Sequence, residues 1–331
     1  MIQRRPLLGM GALGMGAAAA GMATPAFAGT VWKQANPHPE GYPSVVAMEH
    51  FGKKLAAATG GRLSTQMYAA MQLGAEKETI QQAQIGAIQM LPASVGALAA
   101  VVDELNVFNL PFVFRNTEHM HHVVDGKVGQ DLLDAITNSP NSKLVGLAWI
   151  DAGARSVYDV PRPIHGLKDL KGLKMRVIQN PIFLAMMDAM GANAISMGYD
   201  QVFSALQTGV IDGAENNMPS YVYDHHFEVA KHYTFTEHLI LPEVLIFSRD
   251  TWDKLSKPDQ DLVRKLSREV QAEARTLWAL KEKDALKKMI EAKIDIVHLK
   301  DKSEFVKAVQ PVWKKYGSKY DAMIKRIQAV A

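Results

Sequence analysis

Hydrophobic periodicity in this chain switches repeatedly between two and 3.6 residues, and a Gly or Pro stands at most of the switches. Residues 30–35 read as a strand, closed by the Asn36-Pro37-His38-Pro39-Glu40-Gly41 loop. Val45, Met48, Phe51 and Leu55 then fall at helical spacing over 45–58, before Thr59-Gly60-Gly61. A strand over 63–68, a helix over 76–85 stopped by Gly86 and a buried strand over 87–91 follow. Alternation of this kind, with short turns, calls for helices packed on mainly parallel sheets.

The pattern restarts further on. Residues 143–149 and 173–178 read as strands, 181–190 as a helix ending at Gly191, and 200–208 as a helix stopped by Gly209 before a strand over 210–214. Ile80-Gln-Gln-Ala-Gln-Ile-Gly86-Ala-Ile and Phe203-Ser-Ala-Leu-Gln-Thr-Gly209-Val-Ile are both helix, left-handed Gly cap, then strand. One such unit is expected in each of two lobes, and 331 residues suit two lobes better than one small core. The expected division is 29–152 with 242–281 for the first lobe and 153–241 with 282–331 for the second. Ser256, with Asp259 three positions on, caps a helix whose Leu262, Leu266, Val270, Ala274, Leu277 and Leu280 run toward Ile290. Such a helix exceeds ~45 Å, longer than one lobe, and is expected to bridge both. Residues 305–330 read as an amphipathic helix pair broken at Gly317.

The N-terminus reads as an export signal. Arg4 and Arg5 precede an uncharged stretch over 7–20, and Ala26-Phe27-Ala28 offers a cleavage site before Gly29. The stretch is too rich in Gly and Ala for a strong membrane anchor. The mature chain is therefore expected in the periplasm, cut after Ala28. The formal charge of +3 includes those two arginines. Without them the chain is nearly neutral and has no basic stripe, so nucleic acid is not an expected partner. With no Cys, thiolate catalysis and Cys-based metal sites are excluded.

Enzyme signatures are missing: no G-x-S-x-G, no P-loop and no G-x-G-x-x-G opening a helix after a strand. His119, His121 and His122 cluster, as do His225 and His226, but without carboxylates at ligand spacing. Neither a metal nor a cofactor is expected. Acid/base roles for Glu76, Asp212 or Glu215 stay open, because such pairs assemble in space.

Two arginines point to anion binding. Arg155 lies in Ala152-Gly-Ala-Arg155-Ser-Val-Tyr158, directly after a strand. Arg176 lies within a strand whose Leu173, Met175 and Val177 share the opposite face. Each is either a solvent-facing strand residue or a guanidinium holding a carboxylate through paired hydrogen bonds. Asp212-Gly-Ala-Glu-Asn216-Asn217-Met-Pro-Ser-Tyr221 runs off a strand end, where open α/β sheets bind ligands, although Asn-Asn-x-Pro also suits a plain turn.

Together with Leu73-Gly-Ala-Glu76, Val107-Phe-Asn-Leu-Pro-Phe-Val-Phe114, Leu170-Lys-Gly-Leu-Lys-Met-Arg176-Val and Glu237-His238 before Leu-Pro, these segments resemble a family. They are similar to the solute-binding proteins of tripartite ATP-independent periplasmic (TRAP) transporters, of the dicarboxylate-binding type. The resemblance implies a two-lobe, type-II-like periplasmic binding protein fold: α/β, with mixed sheets flanked by helices and a long helix spanning both lobes. It also implies no catalysis, and hand-off of an organic acid to small and large membrane subunits.

By the same resemblance Arg176 is the carboxylate clamp, Arg155 a second cationic contact and Asn216 the amide that completes the carboxylate site. Tyr199 matches an aromatic shelf, and Glu76 and Gln179 match polar contacts. Glu76 in a first helical turn also serves the helix dipole alone. His38 and Glu78 are candidates from their neighbourhood. Asn217-Met-Pro-Ser-Tyr221 is close to the Asn-Trp-Pro-Ser-Tyr of sugar-acid binders, with Met218 in place of Trp. One carboxylate for Arg176, and hydroxyls for Glu76, Gln179 and Asn217, together point to a hexuronate such as glucuronate or galacturonate. A C4-dicarboxylate or a 2-oxo acid is the alternative, with a sensor or a sugar-acid lyase behind them.

Overall fold

The computed structural model describes residues 29–331, so the export signal expected over 1–28 lies outside the described residues. Along the chain come β1 (Thr30–Ala35), α1 (Pro43–Ala58), β2 (Leu63–Tyr68), α2 (Glu76–Gln84), β3 (Met90–Ser94), α3 (Val95–Leu98), α4 (Thr117–Asp125), α5 (Lys127–Asn138) and β4 (Leu144–Ile150). Then follow β5 (Ala154–Asp159), β6 (Lys174–Val177), α6 (Pro181–Ala189), β7 (Asn193–Ser196), α7 (Val202–Thr208), β8 (Gly213–Asn216), α8 (Met218–Tyr223) and β9 (His232–Ile240). The chain ends with β10 (Glu243–Ser248), α9 (Arg249–Trp252), α10 (Lys257–Glu291), β11 (Asp295–His298), α11 (Ser303–Ala308), α12 (Gln310–Tyr316) and α13 (Asp321–Gln328).

Two mixed sheets result, in the orders β2-β1-β3-β10-β4 and β11-β9-β5-β8-β6-β7. In the first, β1 runs parallel to β2 and β3, while β10 is antiparallel to β3 and β4. In the second, β6 runs parallel to β7 and β8, while β5 is antiparallel to β8 and β9. Apart from the added β11, the second sheet therefore repeats the first in order and direction. The antiparallel strands β10 and β5 are those that arrive from the other sheet, through the short crossings β9 to β10 and β4 to β5.

The two strands expected directly after Gly86 and Gly209 start later, at Met90 and Gly213. Both glycines are left-handed, with φ of 78° and 73°. The residues that follow use their N–H groups on the preceding helix: Ala87 and Ile88 donate to Gln82, and Ile211 to Ala205. Ile88 and Ile211 are fully buried. Their apolar side chains plug the helix end, so they read like strand residues before the ladder begins.

The long helix is as expected, with Ser256 accepting from the Asp259 N–H at 3.3 Å. Its 35 residues span about 52 Å. Val263, Leu266, Val270 and Ala274 pack into the first lobe's core with Phe51 and Phe247, and Ala285 and Met289 into the second lobe's core with Tyr158 and Tyr233. Between them Trp278 lies over the crossing at Gly153, where an added Cβ would come within 2.7 Å of the indole. C-terminal to this, three helices replace the expected pair. Pro311 has no N–H to continue α11, so a new helix begins there, and Gly317–Tyr320 is a 3-10 turn. These helices pack on both lobes, since Val312 and Ile324 share a core with Phe183 of α6 and Met120 of α4.

Candidate functional site

A cavity lies between the sheets, at the carboxyl ends of β1, β3, β6 and β8, where open α/β sheets take their ligands. The first lobe lines it with His38, Glu76, Ser94 and Glu243; the second does so with Arg155, Arg176, Ile178, Tyr199, Asn216 and Asn217; and the crossings add Ala152 and Leu241.

The two arginines differ in kind. Arg155 is held on every side. Its Nε donates to Glu215 Oε2 at 2.6 Å, its Nη2 to Glu215 Oε1 at 2.9 Å and to the Glu215 carbonyl at 2.7 Å, and its Nη1 to Asn216 Oδ1 at 2.8 Å. Burial pushes the Glu215 carboxyl up, but the adjoining guanidinium and His238 outweigh it and hold the group at about 2. Glu215 is thus ionised at neutral pH and serves as the structural partner of Arg155.

Arg176 is only 4% exposed and has no carboxylate within ion-pair distance among the described residues. Its Nε and Nη2 both donate to the Met197 carbonyl, at 3.1 and 2.8 Å, and its guanidinium lies 5.6 Å from the Tyr199 ring centre. Burial lowers its pKa. Parallel β6 turns this residue away from the buried Met175 and Val177, which explains its direction. A buried guanidinium without a counter-charge is costly, and an anion in the cavity offsets that cost.

The opposite wall is acidic. Glu76 opens α2, and its Oε1 accepts the Ser94 N–H at 2.6 Å. Burial raises its pKa against that hydrogen bond and the pull of Arg176. Glu243 heads β10 and is 8% exposed. Burial pushes its carboxyl up to about 7, with Glu76 adding to the shift and His38 and Arg155 opposing it.

Contacts across the cleft join the lobes. His38 stacks on Tyr42 and its Nδ1 lies 3.0 Å from Asp224 Oδ2, on which the Tyr199 hydroxyl also donates at 2.6 Å. Burial acts to lower the His38 pKa, but Asp224, Glu243 and Glu76 prevail and raise it. Tyr42 and Ser220 hydroxyls meet at 3.0 Å, and Asn180 Nδ2 donates to the Gly96 carbonyl at 3.0 Å.

Seven of the eight residues expected at the site line this cavity: Arg176, Arg155, Asn216, Glu76, Tyr199, Asn217 and His38. Asn217 does so with both amide atoms engaged, Oδ1 capping α8 through the Ser220 N–H and Nδ2 donating to the Ala152 carbonyl. Gln179 is not among them. It is exposed, because the turn into α6 buries its neighbours Ile178 and Asn180 instead. Glu78 also stays outside, accepting the Ala75 N–H as a helix cap. The clustered histidines are held separately: His119 Nε2 lies 3.0 Å from the Ile327 carbonyl and His121 Nε2 lies 2.7 Å from Asp151. Sequence reasoning missed Glu243 and Ser94. The signal for Glu243 was a lone acid at the head of the apolar run Val244-Leu-Ile-Phe247.

Residues 35–319 match the bacterial extracellular solute-binding protein family 7. The structure resembles a TRAP periplasmic solute-binding protein of Pseudomonas putida F1 with bound D-glucuronate, at 50% identity and a TM-score of 0.89, over 91% of this chain and 97% of that one. A counterpart from Bradyrhizobium in complex with galacturonate is 44% identical, with a TM-score of 0.87 over 90% and 99%. A third, from Citrobacter koseri with bound D-glucuronate, is 44% identical over 91% and 100%. Its TM-score is 0.89, and that of the apo, open structure of a Citrobacter koseri protein is 0.80. With nearly the whole described chain matched, the protein belongs to family 7 of the bacterial extracellular solute-binding proteins, the binding proteins of TRAP transporters.

Proposed function

We propose that this protein captures a hexuronate, D-glucuronate or D-galacturonate, in the periplasm and delivers it to the membrane subunits of a TRAP transporter. The observation that carries the reading is Arg176, a buried guanidinium without a carboxylate partner, facing a cavity whose far wall offers hydrogen-bond acceptors. A hexuronate has one carboxylate for the first and a row of hydroxyls for the second. The bound uronates of the similar structures support the same solute class. Arg155 and Asn216 assist at the carboxylate, and Tyr199 offers its ring to the C–H face of the sugar. Export by the signal over 1–28, cut after Ala28, belongs to this reading. So does the division into lobes 29–152 with 242–281 and 153–241 with 282–331, which the strand membership of the two sheets supports.

Calorimetric titration of residues 29–331 with D-glucuronate, D-galacturonate, succinate and a branched 2-oxo acid tests the proposal. Both uronates are expected to bind tighter than either rival acid. Succinate or the oxo acid binding at least about tenfold tighter than both uronates, a difference of ~1.4 kcal/mol, overturns the hexuronate assignment.

A further inference from the structure

Glu243 is the counterpart of Arg176: a buried side chain of the opposite charge, lining the same cavity, with no hydrogen bond or ion pair to its carboxylate among the described residues. It stands at the head of β10, immediately after the crossing, where its backbone pairs with Ser94 on one side and Ile150 on the other. Ser94 is the residue whose N–H holds Glu76. Two carboxyl groups therefore flank Ser94 on the first-lobe wall, across the cavity from the guanidinium of the second lobe. Among the described residues no cation lies within ion-pair distance of either carboxyl group. The charged groups that act on Glu243 are His38 from the loop after β1, Glu76 from α2 and Arg155 from β5, and His38 is itself paired to Asp224.

A largely buried carboxylate without a protein donor is well placed to take one from the solute. Sugar hydroxyls can supply it. A second carboxylate cannot, since it accepts hydrogen bonds only and repels the wall. Building on the hexuronate reading, we propose that Glu243 is a specificity-determining residue: it accepts hydrogen bonds from solute hydroxyls remote from Arg176 and, with Glu76, rejects a carboxylate there. The protein then selects hexuronates against hexarates, the same sugar carbon chain carboxylated at both ends.

Dissociation constants of D-galacturonate and galactarate for wild type, Glu243→Gln and Asp224→Asn test this. Wild type is expected to prefer the uronate by at least about a hundredfold, as like charges in a desolvated site demand. Glu243→Gln is expected to weaken uronate binding about tenfold and to narrow the preference by at least that factor. Asp224→Asn, which leaves both wall carboxylates in place, is expected to keep the preference. A measurement without mutation runs alongside: both solutes stay ionised between pH 8.5 and 6, but Glu243 takes up a proton near 7, so wild-type preference is expected to shrink toward pH 6 and that of Glu243→Gln to stay flat. Unliganded Glu243→Gln is expected to be no less stable than wild type, since it loses an unpaired buried charge. If wild type binds neither uronate, the inference falls together with the hexuronate reading. If the uronates bind but Glu243→Gln leaves the preference and its pH dependence unchanged, the inference alone is overturned.

Discussion

The two lobes share a construction and divide the chemistry. Glu76 stands as far ahead of Gly86 as Tyr199 does ahead of Gly209, and each opens a helical turn at the cavity. Beyond the glycines, β3 and β8 end at Ser94 and Asn216, and Ser94 and Asn217 then cap α3 and α8 through the Ala97 and Ser220 N–H groups. The same backbone thus presents corresponding places to the solute. On the first lobe they carry an acid, a hydroxyl and a second acid from β10. On the second they carry a phenol, amides and the two arginines. Backbone topology fixes where groups converge, and side-chain choice alone turns one wall into an anion receiver and the other into a hydrogen-bond acceptor.

Within the second lobe the arginines themselves differ in what holds them: Arg155 is anchored to Glu215 and assists the solute from there, while Arg176 has no carboxylate partner of its own among the described residues. The largest expected effect is therefore on stability. Arg155→Ala leaves Glu215 buried and ionised without its partner, and is expected to destabilise the unliganded protein by ~3–5 kcal/mol, read from chemical denaturation. The pH dependence gives its sign. The Glu215 carboxyl is depressed from 4.5 to about 2, so the pair's stabilisation is complete above 4.5 and is lost as pH falls toward 2. Wild type should show that acid limb and Arg155→Ala should lack it. An Arg155→Ala protein as stable as wild type would end the division of roles.

Arg176 is the other half of the contrast. Arg176→Ala is expected to weaken uronate binding by ~2–5 kcal/mol while leaving unliganded stability unchanged or raised. Arg176→Lys should bind almost as poorly, because an ammonium cannot reproduce the planar fork. A Lys variant with wild-type affinity in calorimetry would remove Arg176 from the carboxylate site.

How far this was legible in the sequence depends on how local the determining forces are. Ser256 and the apolar stripe from Leu262 to Leu280 set the long helix by themselves, and its passage over both lobes follows from length. Arg176 was legible because strand alternation turned it from Met175 and Val177. Gln179 lies outside the cavity because strand periodicity ends at Val177, and the Asn180-Pro181 cap of α6 rotates the chain so that Gln179 faces outward. The starts of β3 and β8 were placed too early since Ile88 and Ile211 carry strand-like side chains on backbone tied to the preceding helix. Glu243 escaped notice for a different reason. It reaches the cavity only because β10 joins a sheet whose other strands lie far back in the chain, so a lone acid ahead of an apolar run does not by itself say that it faces a site.

The smallest effect concerns how the lobes are held together once the solute is bound. Uronate is expected to reduce the radius of gyration in small-angle scattering, because the two walls contribute different contacts to one ligand. Of the contacts across the cleft, His38 with Asp224 is the one that carries charge. Asp224→Asn keeps an acceptor for the Tyr199 hydroxyl and removes the ion pair. It is expected to weaken uronate and hexarate binding alike, by ~1 kcal/mol or about fivefold, through loss of closed-state stability. The His38 pKa is raised above 6.5 in the closed form, so the pair's contribution is complete below 6.5 and fades as pH rises through the higher value. Because Glu243 titrates near 7 in its own right, the slope is best read in a Glu243→Gln background, where Asp224→Asn should flatten it. Equal weakening of both solutes would sharpen the comparison, separating a residue that closes the lobes from residues that choose the solute. A change confined to one solute would assign Asp224 to the binding wall instead.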